Sequence, residues 1–163
     1  MIETYVEVDI DKIIENIQNI QSIDKDSMFC AVIKANGYGL GAVKIAQEIE
    51  DYVDYFAVAR LDEAISLRKS GIKKPLMVLG YVNFEEVDKC VRYNIALPIY
   101  DLEYAKRINN HLDKKVKVHI ALDTGHGRIG FRECEVGNIK ELRKLENLDI
   151  ISAFSHLSTA DEK

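Results

Sequence analysis

Lys34 has the residue type and the surroundings of a nucleophile. It follows the apolar run 30–33 and leads into a turn that contains Gly37, Gly39 and Gly41. A lysine that loses hydration among apolar neighbours has a lowered pKa, so a neutral amine that can condense with an aldehyde is present near neutral pH. Schiff-base chemistry requires such an amine. The alternative is that Lys34 only ends a strand and extends its ammonium group into water.

The glycines after Lys34 favour the chemical interpretation. Alternating glycines tolerate positive φ and let the backbone approach a ligand closely, and a helical apolar pattern over residues 42–49 begins directly after them. Main-chain N–H groups in such a turn can bind a phosphate. The spacing matches neither the dinucleotide-binding fingerprint nor the P-loop, so the pattern alone does not identify the ligand.

Composition and charge favour a cytoplasmic domain that binds a small molecule. The 163 residues are 47% hydrophobic, which is enough for one domain with a substantial core. The net charge of −5, without a cluster of lysines and arginines, argues against nucleic acid and an anionic membrane surface as partners. Cys30, Cys90 and Cys134 have neither disulfide nor zinc-site spacing and indicate reduced thiols. The sequence shows neither a secretion signal nor an apolar run of membrane-spanning length.

A strand and helix pattern repeats along the chain after an opening segment, residues 1–27. In that segment residues 5–8 alternate like a strand, and Asp11 is the expected cap of a helix whose isoleucines recur with helical spacing. Further strands are predicted at residues 29–33, 55–59, 76–80, 95–99, 116–122 and 148–154. The helical patterns between them cover residues 42–49, 62–70, 85–93, 102–111 and 136–145.

This alternation predicts an α/β fold with parallel strands and right-handed crossovers. Six strand and helix units are fewer than a closed (β/α)8 barrel contains, and such a barrel takes about 250 residues. Thr159 and Glu162 have the spacing of a capping box, yet the sequence ends at Lys163 before the helix that they announce. We therefore predict an incomplete (β/α)8 TIM-type barrel with about six parallel strands, whose units occupy residues 28–163 of a longer protein. The alternative is a complete six-stranded doubly wound sheet.

Two further strand ends carry side chains suited to chemistry, and parallel α/β proteins place their sites at the carboxyl ends of strands. Arg128 lies in a glycine-rich segment after the fifth strand, where its guanidinium can bind a phenolate or a carboxylate. The alternative for Arg128 is a surface ion pair. His156 follows the sixth strand and is equally consistent with a structural histidine. Of the other histidines, His111 and His119 look structural or solvated and His126 is ambiguous, and no cluster has metal-site spacing.

Three motifs together resemble those of a known family. They are AVIKANGYG at residues 31–39, HIALDTGHGRIG at 119–130 and SHLSTAD at 155–161. In this order and spacing the chain resembles the N-terminal part of alanine racemases, which are fold-type III enzymes that use pyridoxal 5′-phosphate (PLP). The resemblance covers the whole chain.

The resemblance implies a role for each matched residue. Lys34 would form the covalent link to PLP and act as acid and base on one face of the substrate's α-carbon. Tyr38 would bind the PLP phosphate, Arg128 would lie near the phenolic oxygen and the substrate carboxylate, and His156 would lie against the pyridine ring. The full-length parent would be a homodimer that interconverts L-alanine and D-alanine and supplies D-alanine for peptidoglycan. Its second base, a tyrosine from the partner's C-terminal β-domain, is absent here, so this chain by itself would be inactive.

Because the sequence departs from the family pattern at several positions, the resemblance does not determine which amino acid is the substrate. Many members carry a carbamylated lysine where this chain has Ala121, and in those members the carbamate orients the arginine matched by Arg128. His126 and Leu40 also replace residues that are common in the family. A serine or broad-specificity racemase, a non-enzymatic PLP-binding barrel protein and a pure interaction module in which Lys34 has no chemical role therefore remain as alternatives.

Overall fold

A computed structural model of the chain describes residues 4–160. The chain divides into two compact units, Met1–Leu79 and Gly80–Lys163. Each unit contains three parallel strands, and helices connect the strands in sequence. The predicted alternation of strands and helices is therefore present in both units.

The first unit contains strands β1 (Cys30–Val32), β2 (Tyr55–Val58) and β3 (Leu76–Val78). β1 pairs with β2 and β2 pairs with β3, all in parallel. Between and before these strands lie the helix Ile10–Ile23, the helix Ala42–Ile49, the 3₁₀ turn Glu50–Tyr52 and the helix Leu61–Lys69. A further one-turn segment, Lys34–Tyr38, follows β1 and has a left-handed conformation over most of its length.

Apolar residues of these elements form the core of the first unit. The strands β2 and β3 are buried on both faces, as parallel strands covered by helices usually are. Buried side chains of the helices, such as Ile45, Ile49 and Leu67, are at most 6% exposed. Each such side chain contributes about 1.5–3 kcal/mol when it is fully buried. The core therefore fixes the strand ends from which the loops emerge.

The opening segment differs from its prediction in two ways. The helix Ile10–Ile23 begins earlier than expected, because the carboxylate of Asp9 rather than Asp11 accepts the N–H of Lys12 at 3.2 Å. The predicted strand at residues 5–8 is wrong, since these residues have no regular structure. Tyr5 and Val6 are 80% and 76% exposed. Alternation alone cannot form a strand where no neighbouring strand offers hydrogen bonds.

The second unit contains strands β4 (Ile95–Ile99), β5 (Val116–Leu122) and β6 (Leu148–Ser155). β4 pairs with β5 and β5 with β6, again in parallel. The β5–β6 register shifts between Val118 and His119, so β6 contains one extra residue, as in a β-bulge. The helical elements of this unit are the 3₁₀ turn Phe84–Glu86, the helices Val87–Tyr93 and Leu102–His111, the 3₁₀ turn Glu133–Glu135 and the helix Val136–Leu142.

His119 has the structural role that the sequence suggested. It is 2% exposed on β5, and its Nδ1 atom contacts the Ser152 hydroxyl on β6. Burial lowers the pKa of its imidazole to about 4, because a charged ring loses hydration there. His119 is therefore neutral at pH 7 and links two strands rather than moving protons.

Most predicted elements agree with the structure to within a few residues. The two strands β4 and β5 and the helices Ala42–Ile49 and Leu102–His111 have the predicted bounds. The predicted helix at 85–93 instead begins as the 3₁₀ turn Phe84–Glu86, and the one at 136–145 ends at Leu142. The capping box of residues 159–162 falls partly outside the described residues.

Candidate active site

Lys34 lies immediately beyond the end of β1 in the first unit. The preceding Ile33 donates its N–H to the Ala57 carbonyl on β2 at 2.9 Å, so the strand pairing reaches the residue before the amine. Lys34 is half-buried. Its Nζ atom lies 6.0 Å from the centroid of the Tyr38 ring, at the outer limit of a cation–π contact. Within residues 4–160 the amine has neither a hydrogen bond nor an ion pair.

The turn after Lys34 is left-handed. Glycine adopts positive φ freely, but each residue with a side chain is disfavoured in this conformation by about 1–2 kcal/mol. The positive φ angles are 51° at Ala35, 54° at Asn36, 63° at Gly37, 55° at Tyr38 and 90° at Gly39. Three of these five residues have side chains, so surrounding bonds must hold the turn.

Several main-chain N–H groups of this turn, which could otherwise bind a phosphate, already have acceptors within the protein. Gly37 donates its N–H to the Ile33 carbonyl at 3.0 Å, and Gly39 and Leu40 donate to carbonyl oxygens of the turn itself at 3.0 and 3.1 Å. Gly41 and Ala42 donate to the backbone and side-chain oxygens of Asn36 at 2.8 and 3.1 Å. Side chains such as the 65% exposed Tyr38 remain available to an anion here.

In the second unit, Arg128 lies in a loop that is closed at its base. Phe131 is 2% exposed and donates its N–H to the Ala121 carbonyl at 2.9 Å. The Phe131 carbonyl accepts the N–H of Asp123, also at 2.9 Å. These two bonds join the end of β5 to the far end of the loop. The loop therefore has a fixed base, from which Arg128 projects.

The Arg128 guanidinium is exposed and, among residues 4–160, unpaired. No side chain between residues 4 and 160 forms an ion pair or hydrogen bond with it, so the surface ion pair considered from the sequence is absent there. Asp123 contacts Arg132 instead, with 3.6 Å between Oδ2 and Nε. Ala121 is buried, and its side chain offers no acceptor. Arg128 is thus available to an anionic ligand.

His156 follows β6, and its ring contacts a residue of the Arg128 loop. The rings of His126 and His156 meet edge to face, with centroids 4.8 Å apart. The hydroxyls of Thr124 and Ser155 lie 2.6 Å apart beside them. The structure therefore brings together the loop after β5 and the end of β6, as their positions after neighbouring parallel strands predicted. The sequence alone does not predict the contact of Thr124 with Ser155, although Ser155 directly precedes the predicted site residue His156.

Tyrosines near Arg107 form another cluster that sequence reasoning missed. The rings of Tyr100 and Tyr104 stack with centroids 4.6 Å apart, and Tyr81 lies 5.8 Å from Tyr100. Burial raises the pKa of the Tyr100 hydroxyl above its usual range. The sequence feature that could have revealed this cluster is the position of Tyr100, which directly follows β4.

The Asp123 carboxylate organises the Arg128 loop and gives it a pH dependence. Its Oδ1 atom accepts the N–H groups of Gly127 at 2.9 Å and Gly125 at 3.1 Å. These bonds, assisted by Arg132, hold the pKa of Asp123 below its ordinary value. A lowered pKa means that the loop is stabilised above the ordinary carboxyl pKa of about 3.9 and loses this contribution as the pH falls through the lower folded value.

We expect the amide of Gly127 to exchange with solvent faster, relative to an unstructured amide, as the pH is lowered past this window. NMR-detected exchange measures the effect. Asp123→Asn keeps the acceptor oxygen but cannot titrate, so its protection factor should be lower than that of the wild type near neutral pH and flat across the same range. A wild-type protection factor that does not change with pH would show that the carboxylate does not hold the loop.

Within residues 4–160, no group of three or more histidine, cysteine, aspartate or glutamate side chains could hold a metal ion. No helix in that same stretch is long and apolar enough to cross a bilayer. The groups suited to chemistry are one amine and one phenol in the first unit, Lys34 and Tyr38, and one guanidinium and two imidazoles in the second, Arg128, His126 and His156.

Known proteins resemble this chain over almost its whole length. The family "Alanine racemase, N-terminal domain" matches residues 8–163. The alanine racemase of Clostridium kluyveri is 46% identical over 162 residues, which are 96% of this chain and 41% of that protein. The chain therefore spans about two-fifths of the length of such curated relatives.

Solved structures agree with these sequence matches. The alanine racemase of Clostridium difficile 630 in complex with cycloserine has a TM-score of 0.86 at 42% identity, over 94% of this chain and 43% of its own. The histidine racemase of Leuconostoc mesenteroides has a TM-score of 0.87 at 30% identity, over 93% of this chain and 42% of its own. These similarities confirm the predicted fold class, a part of the α/β barrel that such enzymes carry at their N-terminus.

Proposed function

Because this chain belongs to the alanine racemase N-terminal domain family, we propose that it is the lysine-bearing part of a PLP-dependent amino-acid racemase. Residues 28–163 would form the first six units of the barrel, after an opening segment over residues 1–27. The observation that carries the proposal is the Lys34 amine at the carboxyl end of β1, half-buried and, within residues 4–160, unpaired. An amine in that position is available for covalent attachment.

The side chains present fit the chemical groups of PLP. Lys34 would hold the aldehyde carbon and Tyr38 the phosphate. Arg128 would bind the phenolic oxygen, and His156 would lie against the ring. Both Arg128 and Tyr38 are exposed, so an incoming anion would not have to displace an existing ion pair of Arg128. When bound, PLP delocalises the negative charge that is left on a substrate's α-carbon after a proton departs.

The chain's own residues would then bind the substrate and move its proton. The Nζ atom of Lys34 would accept and return the proton on one face of the α-carbon, and general acid–base catalysis of this kind contributes about 10²–10⁴-fold. The guanidinium of Arg128 would bind the substrate carboxylate, for which its planar fork is suited. Because Ala121 cannot be carbamylated, the bound anions themselves would have to orient Arg128.

We assign alanine as the substrate and a cytoplasmic homodimer as the working form of the parent. Support comes from the 46% identity to the alanine racemase of Clostridium kluyveri. In this assignment the parent supplies D-alanine for peptidoglycan, and the partner subunit contributes the second base. A racemase of another amino acid is the competing assignment, because the similarly folded relative from Leuconostoc mesenteroides is named a histidine racemase.

Racemisation assays test both the substrate and the need for further sequence. The parent should interconvert L-alanine and D-alanine at least about tenfold faster than serine or histidine, as judged by kcat/KM. The 163-residue chain alone should not exceed the background rate of free PLP. Faster turnover of serine or histidine would overturn the alanine assignment. Racemisation by the chain alone would show that it already contains both bases.

A further inference from the structure

The residues on either side of Lys34 form hydrogen bonds with β2 and with the helix Leu61–Lys69 that follows it. Before it, Ile33 donates its N–H to Ala57 of β2 at 2.9 Å. After it, Ala35 donates its N–H to the Oε1 atom of Glu63 at 2.6 Å. The second bond joins residues that are 28 positions apart in the sequence. The peptide group after Lys34 is therefore fixed by Glu63, and the carbonyl of the peptide group before it, that of Ile33, accepts the N–H of Gly37 at 3.0 Å.

The carboxylate of Glu63 has a second set of partners at the start of its own helix. Its Oε2 atom accepts the N–H groups of Ala59 and Arg60, each at 3.0 Å. Glu63 is the third residue of the helix Leu61–Lys69, where such a contact completes one half of a capping box. Capping uses only one oxygen, so the bond from the other oxygen to Ala35 requires a separate explanation.

Ala35 is the point at which the left-handed turn begins. Its φ and ψ angles are 51° and 49°, a conformation that an L-residue with a side chain disfavours. The bond from Glu63 restrains the Ala35 N–H and thereby the peptide plane between Lys34 and Ala35. That plane determines how the Lys34 backbone is oriented and hence where its side chain starts.

We propose that Glu63 is a positioning residue for Lys34, whose carboxylate holds the left-handed turn and so sets the direction of the amine. The proposal rests on the proposed function in taking Lys34 as the site of PLP attachment. Glu63 acts through Ala35. Its role goes beyond capping, because its Oε1 atom binds Ala35 outside the helix, whereas the neighbouring Asp62 binds the Arg60 guanidinium at 2.9 and 3.0 Å.

Glu63→Gln and Asp62→Asn form a matched pair of variants. Comparing them distinguishes the loss of the bond to Ala35 from the loss of a negative charge at the start of the helix. Both remove one negative charge from the same turn. A glutamine has only one acceptor oxygen, so it cannot serve Ala35 and the helix start together. In the 163-residue chain, the Ala35 amide of Glu63→Gln should exchange about tenfold faster or more than in the wild type. In Asp62→Asn the exchange rate of the Ala35 amide should stay within about twofold of the wild-type rate.

The parent enzyme provides the second readout. There Glu63→Gln should lower kcat about tenfold or more with the KM for alanine within about threefold, because a misdirected amine slows the chemical step more than binding. Asp62→Asn should change neither value. If Glu63→Gln fails to fold, Glu63→Asp replaces it, since this shorter side chain keeps the charge but not the reach to Ala35.

Two results would overturn the positioning role. One is an unchanged Ala35 exchange rate in Glu63→Gln. The other is faster exchange together with an unchanged kcat, which would show a bond without a catalytic consequence. Failure of the proposed function is distinguishable from both, because it would appear as wild-type parent enzyme with no PLP on Lys34, whatever the exchange rates of the variants.

Discussion

Replacing Lys34 with alanine is expected to abolish racemisation by the parent enzyme. The substitution would remove both the proposed attachment point for PLP and the proposed proton carrier on one face of the substrate. A loss of about 10³-fold or more in kcat is expected, given the size of general acid–base contributions alone. A coupled assay that measures D-alanine formation from L-alanine, at saturating PLP, gives the value.

Lys44→Ala is the matched control for this substitution. Lys44 lies on the helix that follows the left-handed turn, is 75% exposed in its side chain and pairs with Glu48 at 2.6 Å. An exposed pair of this type contributes little to stability, so its loss should leave kcat within about twofold. Equal losses in Lys34→Ala and Lys44→Ala would show that the effect comes from general damage. Retained activity in Lys34→Ala would favour a role for this chain as an interaction module.

Gly130→Ala is expected to cause the largest loss of stability among single methyl additions in the Arg128 loop. An added Cβ would lie 2.7 Å from the carbonyl carbon and oxygen of Ala121 and 2.9 Å from the Asp123 nitrogen. These are backbone atoms of β5 and its end, which cannot move away cheaply. The φ angle of 124° adds strain. We expect the free energy of unfolding to fall by about 4 kcal/mol or more.

Gly125→Ala is the control that distinguishes backbone strain from a steric clash of the added methyl group. Gly125 has a φ of 128°, close to that of Gly130, but nothing lies within 4 Å of an added Cβ. Its substitution should cost only the strain, about 1–3 kcal/mol. Urea unfolding of the three proteins measures both values. Equal losses in the two variants would mean that the loop does not approach β5 as closely as the structure indicates.

The sequence predicted the features that follow from periodicity and from the ends of strands. Strand–helix alternation located β4 and β5 with their observed bounds, because buried parallel strands are continuous apolar runs. Lys34, Arg128 and His156 were selected because each follows a strand, and each does so in the structure. The contact between His126 and His156 agrees with the adjacency of β5 and β6.

Features that depend on distant residues or on unusual backbone angles could not be predicted. The glycines indicate a turn after Lys34, but the positive φ of Ala35 and Tyr38 contradicts what residue preference alone would predict. The bond from Glu63 to Ala35 spans 28 residues, and no local pattern announces it. The glycines also suggest main-chain N–H groups that could bind a phosphate, yet several of these groups donate to carbonyl oxygens of residues 33–37.

The central claim is that Lys34 is the residue to which PLP becomes attached in the parent enzyme. Borohydride reduction of the purified parent, followed by peptide mass mapping, tests it most directly. The claim predicts that the mass of reduced PLP is found on the peptide that contains Lys34 and is missing from the Lys34→Ala variant. Attachment to any other lysine, or no attachment in a parent that racemises alanine, would contradict it.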